Sequence, residues 1–234
     1  MIPLRDANPT RRRPVVTVSI IAICFVVFGL ELMIQASSGE EGLTRFFETF
    51  GVVPVDLLAA LRAGRILDLE VLSLITYQFL HGGWIHIGAN LLYLWIFGNN
   101  VEDRLGRPGF LLFYLAGGIV AAFAQVAIDP TSDVALVGAS GSIAAVLGAY
   151  AIMFPRARVL SIVFLVIFFQ LIEVPAIIVL GLWFVLQVID GLASLGVQDV
   201  GGGVAIFAHI GGFIGGLLVG FLVRGMRSRP LTPG

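Results

Sequence analysis

The chain has 234 residues, of which 58% are hydrophobic and 12% charged; the mean hydropathy is +1.01 and the formal net charge −1. Soluble domains carry roughly twice that charged fraction, so composition excludes a soluble globular domain and points to a multi-span membrane protein with no nucleic acid partner. All 14 basic residues are arginine, and the single cysteine, Cys24, lies in an apolar run, so no disulfide framework exists.

The first span is predicted at about 14–35, entered from the arginine-rich tail 1–13. Its apolar run is too long for a signal-peptide core and suits an uncleaved spanning helix. Glu31 falls near its far end and reads as an interfacial carboxylate. Residues 36–70 read as a long connection carrying Glu40, Glu41, Glu48, Asp56, Asp68 and Glu70. Phe46, Phe47 and Phe50 make this connection partly membrane-interfacial, and Pro54–Ala63 is predicted as a short helix with Leu57, Leu58 and Leu61 on one face.

Span two contains Tyr77-Gln78-Phe79-Leu80-His81-Gly82-Gly83-Trp84-Ile85-His86-Ile87-Gly88-Ala89-Asn90-Leu91. The paired glycines place the helix start near Trp84 and its end near Gly98, with His86 and Asn90 on one face. Asn99, Asn100, Glu102, Asp103, Arg104 and Arg107 read as a polar turn. Span three is expected at about 109–128 and span four at about 139–154, stopped by Pro155. Residues 159–195 could hold two short spans, or one span opened by Pro175 with 159–174 as an interfacial or re-entrant segment. The last span is expected at about 204–223, before the tail 225–234.

Arginine placement chooses between these. With a cytoplasmic N-terminus and one crossing in 159–195, Arg5, Arg11, Arg12, Arg13, Arg104, Arg107, Arg156, Arg158, Arg224, Arg227 and Arg229 all fall inside, leaving only Arg45, Arg62 and Arg65 in the long first loop. The positive-inside rule favours this arrangement. The expectation is an all-α membrane protein of six spans within 14–224, with both ends cytoplasmic.

Six spans bring four polar residues to one depth. Ser140 opens span four, His209 lies in the first turns of span six, and His86 and Asn90 lie in the first turns of span two. Polar groups inside spans are costly and usually functional. Ser140 as nucleophile with His209 as general base suits acyl transfer, with His86, Asn90 and the free N–H groups opening span four as oxyanion donors. The small faces Gly141–Gly148 and Gly211–Gly220 allow the close helix approach such a pair needs. Each signal also has a plain reading: Ser140 or Ser142 as a helix cap, His209 bonded to a carbonyl, the glycines as packing. His81 and His86, with no nearby carboxylate, do not make a metal site, and no cofactor is implied.

Together these blocks resemble the rhomboid intramembrane serine proteases. The resemblance rests on His81 to Asn90 with Gly98-Asn99-Asn100-Val101-Glu102-Asp103-Arg104-Leu105-Gly106, on Gly138 to Gly148, and on Ala208-His209-Ile210-Gly211-Gly212 with Gly216, in family order over about 75–225. It implies a Ser140–His209 dyad, oxyanion stabilisation by His86 and Asn90, and structural support from His81, Gly138, Gly141, Gly212 and Gly216. It implies that Glu102 and Arg104 form a bracing polar pair. It also implies transmembrane protein substrates cut near the outer face of a bacterial inner membrane, amid membrane lipids, without metal or cofactor. The oligomeric state is not given by the sequence. Ala144 departs from the pattern, because an aromatic residue often stands there against the catalytic histidine; Tyr150, Trp84 or another ring would have to orient His209. Asp190 and Asp199 are the nearest candidates for an assisting carboxylate, and Gly196–Gly203 for a flexible cap. The competing readings are a non-catalytic relative that binds membrane clients, and a small transporter, whose polar residues would sit at mid-membrane.

Overall fold

The helix that begins at Ser140 is buried along nearly its whole length, and the other elements are arranged around it. In the computed structural model, residues 2–165, 168–194 and 205–224 are described. In chain order they form β1 (Ile2–Asp6), α1 (Val15–Phe50), α2 (Pro54–Arg62), α3 (Leu69–Thr76), α4 (Trp84–Tyr93), α5 (Asn99–Leu105), α6 (Arg107–Ile128), α7 (Ser140–Met153), β2 (Arg158–Leu165), β3 (Phe168–Pro175), α8 (Ala176–Ser194) and α9 (Ile206–Arg224). Val15–Phe50, Arg107–Ile128, Ala176–Ala193 and Ile206–Arg224 are long and apolar enough to cross a membrane, by length and composition; α7 is apolar but shorter.

Small residues on α7 explain its central place. Ala144, Ala145, Gly148 and Ala149 present almost no side chain, so α9 and α6 pack against its backbone. A Cβ on Gly216 of α9 would fall on the carbonyl of Ala145, and one on Gly148 of α7 would fall on the carbonyl of Phe213. The larger core residues, among them Phe97, Phe110 and Leu147, fill the space around this seam.

Four expectations need correction. Helix α1 does not stop near residue 35: it bends at Gly39, whose φ of 65° is open to glycine, and continues to Phe50. Ser37 and Ser38 look like a stop, yet the Phe46 and Phe50 rings, 4.9 Å apart, give the second part an apolar edge. The connection 36–70 is thus largely helical. The predicted short helix is present as α2, and Leu57, Leu58 and Leu61 pack with Val52, Leu74 and Tyr77.

Second, the helix through Asn90 does not end at Gly98. A π-helical turn over Leu94–Gly98 leads straight into α5. Of the polar residues read as a turn, Asn100 and Glu102 are buried, and Arg104 is half-buried. Glu102 accepts the N–H groups of Val16 (3.0 Å) and Thr17 (2.8 Å) and the Thr17 hydroxyl (2.8 Å), satisfying the open N-terminus of α1. Arg104 donates to the carbonyls of Val223 (3.3 Å) and Arg224 (3.4 Å) at the end of α9. The chain turns at Gly106, with φ 74°.

Third, the protein is not all-α. A three-stranded antiparallel sheet runs in the order β1-β2-β3, with Ile2 opposite Ile162, Asp6 opposite Val159, and Arg158 opposite Pro175. Thus 158–165 and 168–175 pair as antiparallel strands rather than as a re-entrant segment, and the N-terminal tail holds the third strand. β-branched and aromatic residues (Val159, Ile162, Val163, Phe168, Phe169, Ile172) favour extended backbone here. The sheet is tied to the helices through Asp6, whose Oδ2 accepts Tyr150 Oη (2.7 Å) and Asn100 Nδ2 (2.6 Å). Burial raises the Asp6 carboxyl above its ordinary value, and the Tyr150 hydrogen bond opposes this only in part.

Fourth, Glu31 is not an exposed carboxylate but a buried one. It is 2% exposed, and its Oε1 accepts the His81 N–H at 3.0 Å.

Candidate active site

The loop before Ser140 is held from two sides. Val52 and Leu136 exchange both backbone hydrogen bonds (3.0 and 2.8 Å), and Gly138 donates its N–H to the Tyr77 carbonyl at 2.9 Å. Gly138 adopts φ 130°, and a Cβ there would lie 2.8 Å from His86 Nε2 and 3.5 Å from Ser140 Oγ. This position therefore requires glycine both by conformation and by space. The same distances place the His86 ring and the Ser140 hydroxyl around one point.

Ser140 is the first residue of α7, half-buried, and its hydroxyl makes no hydrogen bond among the described residues. It does not cap the helix, since the cap position is Ala139 and no side chain caps it. Ser142 does not cap either. It is fully buried, donates to Gln78 Oε1 at 2.9 Å, and Gln78 in turn donates to the Leu74 and Leu115 carbonyls. Of the two serines, only Ser140 has an uncommitted hydroxyl.

His209 lies in the first turn of α9 and is 7% exposed. Gly212, one turn on, sits against the Gly141 carbonyl and would place a Cβ 3.3 Å from that of Ala144. This contact sets His209 and Ser140 at the same level of the α7–α9 seam. No hydrogen bond joins their side chains. The partner of His209 Nδ1 is the side-chain amide of Gln187, and the Trp183 ring lies 5.8 Å from the imidazole, tilted by 39°. Both come from α8.

The ring beside His209 is therefore Trp183. Tyr150 instead packs on Phe97 and Phe154 and bonds Asp6, and Trp84 is 69% exposed with its ring on Phe28. Asp190 is exposed and makes no hydrogen bond among the described residues; Asp199 and Gly196–Gly203 lie outside them. Gln187 was detectable as a lone amide in an apolar helix, four residues after Trp183 and on the same face.

On the other side, Asn90 lies one turn beyond His86, 7% exposed, and its Nδ2 has no partner among the described residues. His81 is 1% exposed, its ring edge-on to His86 with centroids 5.3 Å apart, and its Nδ1 lies 3.2 Å from the Phe79 carbonyl. Glu31 holds the backbone of this segment from α1, as described above. Gly141 allows contact with α6, because a Cβ there would come within 2.6 Å of the Ala121 Cβ and 3.2 Å of Tyr77 Oη. The site thus offers a free hydroxyl at a helix start, an oriented imidazole and an unspent buried amide donor.

Comparison with known proteins shows the family. Residues 68–226 match the family model of the Rhomboid domain. The chain is 31% identical over 206 residues to the rhomboid protease GluP of Bacillus subtilis, covering 87% of this chain and 34% of that protein. It is 30% identical over 161 residues to the mitochondrial Rhomboid protein 1 of Saccharomyces cerevisiae, covering 65% of this chain and 42% of that protein. A shorter match, 36% over 80 residues, reaches the putative rhomboid protease YdcA of Bacillus subtilis, covering 34% of this chain and 40% of that protein. The matched stretches span less than half the length of each of these relatives.

Proposed function

The chain belongs to the rhomboid family and is an integral multi-pass membrane protein; on that premise we propose that it is a serine endopeptidase that cuts transmembrane protein substrates by a Ser140–His209 dyad. The observation that carries this reading is the uncommitted Ser140 hydroxyl at the α7 start, with His86 at its side and His209 across the α7–α9 seam. A serine kept only for structure would be bonded, as Ser142 is.

We take α1, the continuous path α4–α5, α6, α7, α8 and α9 as six crossings. The short α7 supports a sunken site. Its 14 residues rise about 21 Å, against roughly 30 Å of hydrocarbon, so a reacting serine at its start lies below the membrane surface. Arginine distribution supports that end facing outside and both termini in the cytoplasm; the membrane proposed is a bacterial inner membrane. In this frame α2, α3 and the second half of α1 form a partly interfacial first loop, and lipids line the apolar outer faces.

In the reaction, the Ser140 hydroxyl proton passes to His209 Nε2 as Oγ bonds to the scissile carbonyl carbon and the carbonyl π pair moves to oxygen. His86, Asn90 Nδ2 and the N–H groups at the α7 start donate to that oxyanion. The intermediate collapses by breaking the C–N bond, with the Nε2 proton delivered to the leaving amine. Water then hydrolyses the acyl-enzyme by the same steps.

A fluorophosphonate probe tests the nucleophile. Covalent labelling of wild type and none of Ser140→Ala is the expected result; equal labelling of both would sink the assignment. The second reading, a non-catalytic binder of membrane clients, predicts no Ser140-dependent labelling while client binding persists.

A further inference from the structure

Helix α8 contains one amide in an otherwise apolar face, and that amide meets the one imidazole nitrogen that the proposed reaction does not use. Gln187 contacts His209 Nδ1, and Trp183, one turn earlier, flanks the ring and also packs 5.9 Å from Phe213. We propose that Gln187 is a positioning residue: its side-chain carbonyl accepts the Nδ1 proton of His209 and so holds the tautomer whose Nε2 lone pair faces Ser140. The inference rests on the dyad reading above and adds a residue to it.

The chemistry requires this orientation of the amide. As placed, Gln187 Nε2 faces Nδ1; an NH2 there would put the ring proton on Nε2 and leave no lone pair to take the serine proton. A half-turn about the last bond of Gln187 exchanges NH2 and C=O with no other movement. With the carbonyl on Nδ1–H, the ring is a base at Nε2. When the ring gains its second proton, the same carbonyl bonds the charged form. This is the duty a buried carboxylate performs in soluble serine hydrolases, here met by a neutral dipole that is less costly to place in a membrane span. Of the other described groups, the His86 imidazole from α4 acts on the His209 ring electrostatically, and Gln125 from α6 accepts the neighbouring Ala208 N–H through Oε1. Asp190, three residues beyond Gln187, is exposed.

The test uses the full chain in liposomes, with fluorophosphonate labelling rates measured from acid to alkaline pH and melting temperatures recorded alongside. Gln187→Leu is expected to label at least about tenfold more slowly at unchanged melting temperature. Gln187→Glu, which can only accept when ionised, is expected to keep at least a third of the wild-type rate. Its acid limb should move to higher pH, because a carboxylate beside the ring favours the imidazolium. Gln187→Leu labelling at the wild-type rate would overturn the proposal. So would Gln187→Glu labelling as slowly as Gln187→Leu, or, if the leucine variant does not fold, a folded Gln187→Glu that labels tenfold slower than wild type. Wild type that shows no Ser140-dependent labelling would instead remove the dyad reading, and this inference with it.

Discussion

Gly212 of α9 lies directly against the carbonyl oxygen of Gly141, the residue that follows Ser140. Everything proposed for the dyad depends on this approach, because His209 stands one turn before Gly212 on the same helix. A methyl group at Gly212 would force α9 away from α7. Overpacking of a tight seam costs about 1–3 kcal/mol, and the displacement falls where the base must meet the nucleophile. Gly212→Ala is therefore expected to abolish fluorophosphonate labelling while the protein still melts cooperatively, a few degrees lower. Labelling at the wild-type rate would show that the seam does not set the site.

Asn90 gives a prediction of opposite sign for stability. Its Nδ2 is buried without a partner among the described residues, a state that costs free energy in the resting protein. Asn90→Ala should leave the melting temperature unchanged or slightly raised, while kcat for a reporter substrate falls by about 10²-fold. A variant that melts lower with full activity would identify Asn90 as structural.

The polar bracing can be tested separately from catalysis. Glu102 accepts three hydrogen bonds at the start of α1. Glu102→Ala leaves those donors open and should destabilise the protein by about 2–3 kcal/mol. Glu102→Gln, which keeps one acceptor oxygen, should lose less. Denaturation in detergent, followed by circular dichroism, reads the order wild type, Gln, Ala; Ala equal to wild type would refute the capping role.

Asp6 supplies the pH dependence. Burial holds its carboxyl above the usual value in the folded protein, so the folded state binds its proton more tightly than the unfolded chain does. Stability from this group is fully present below the unfolded value and is lost as pH rises through the folded one. Asp6→Asn keeps an acceptor for Tyr150 and Asn100 and does not titrate. Relative to Asp6→Asn, wild type should therefore gain stability as pH falls from neutral toward the carboxylate range. A difference in melting temperature that is constant over that range would contradict the assignment.

These sites were unequally legible in the sequence. Ser140, His209, His86 and Asn90 stood out because each is polar at the start of an apolar span, and arginine placement put those starts on one side. Gln187 is just as isolated in α8, but a lone amide belongs to no reaction motif, and its role depends on a neighbour on another helix. The burial of Glu31 is not legible along α1 alone, because its partner is the His81 N–H from another segment. The residues after Gly98 looked like a turn because composition cannot show a π turn that redirects a helix and buries its polar groups. The strand pair was missed because the apolar run 159–174 lacks the alternation that marks a half-buried strand, and a short apolar run is ambiguous between strand and helix.

The most direct measurement is cleavage of a single-span reporter substrate co-reconstituted in liposomes with the full chain. The account predicts a defined product with wild type, none with Ser140→Ala and none with His209→Ala, all three proteins melting alike. Equal product from wild type and Ser140→Ala would contradict it.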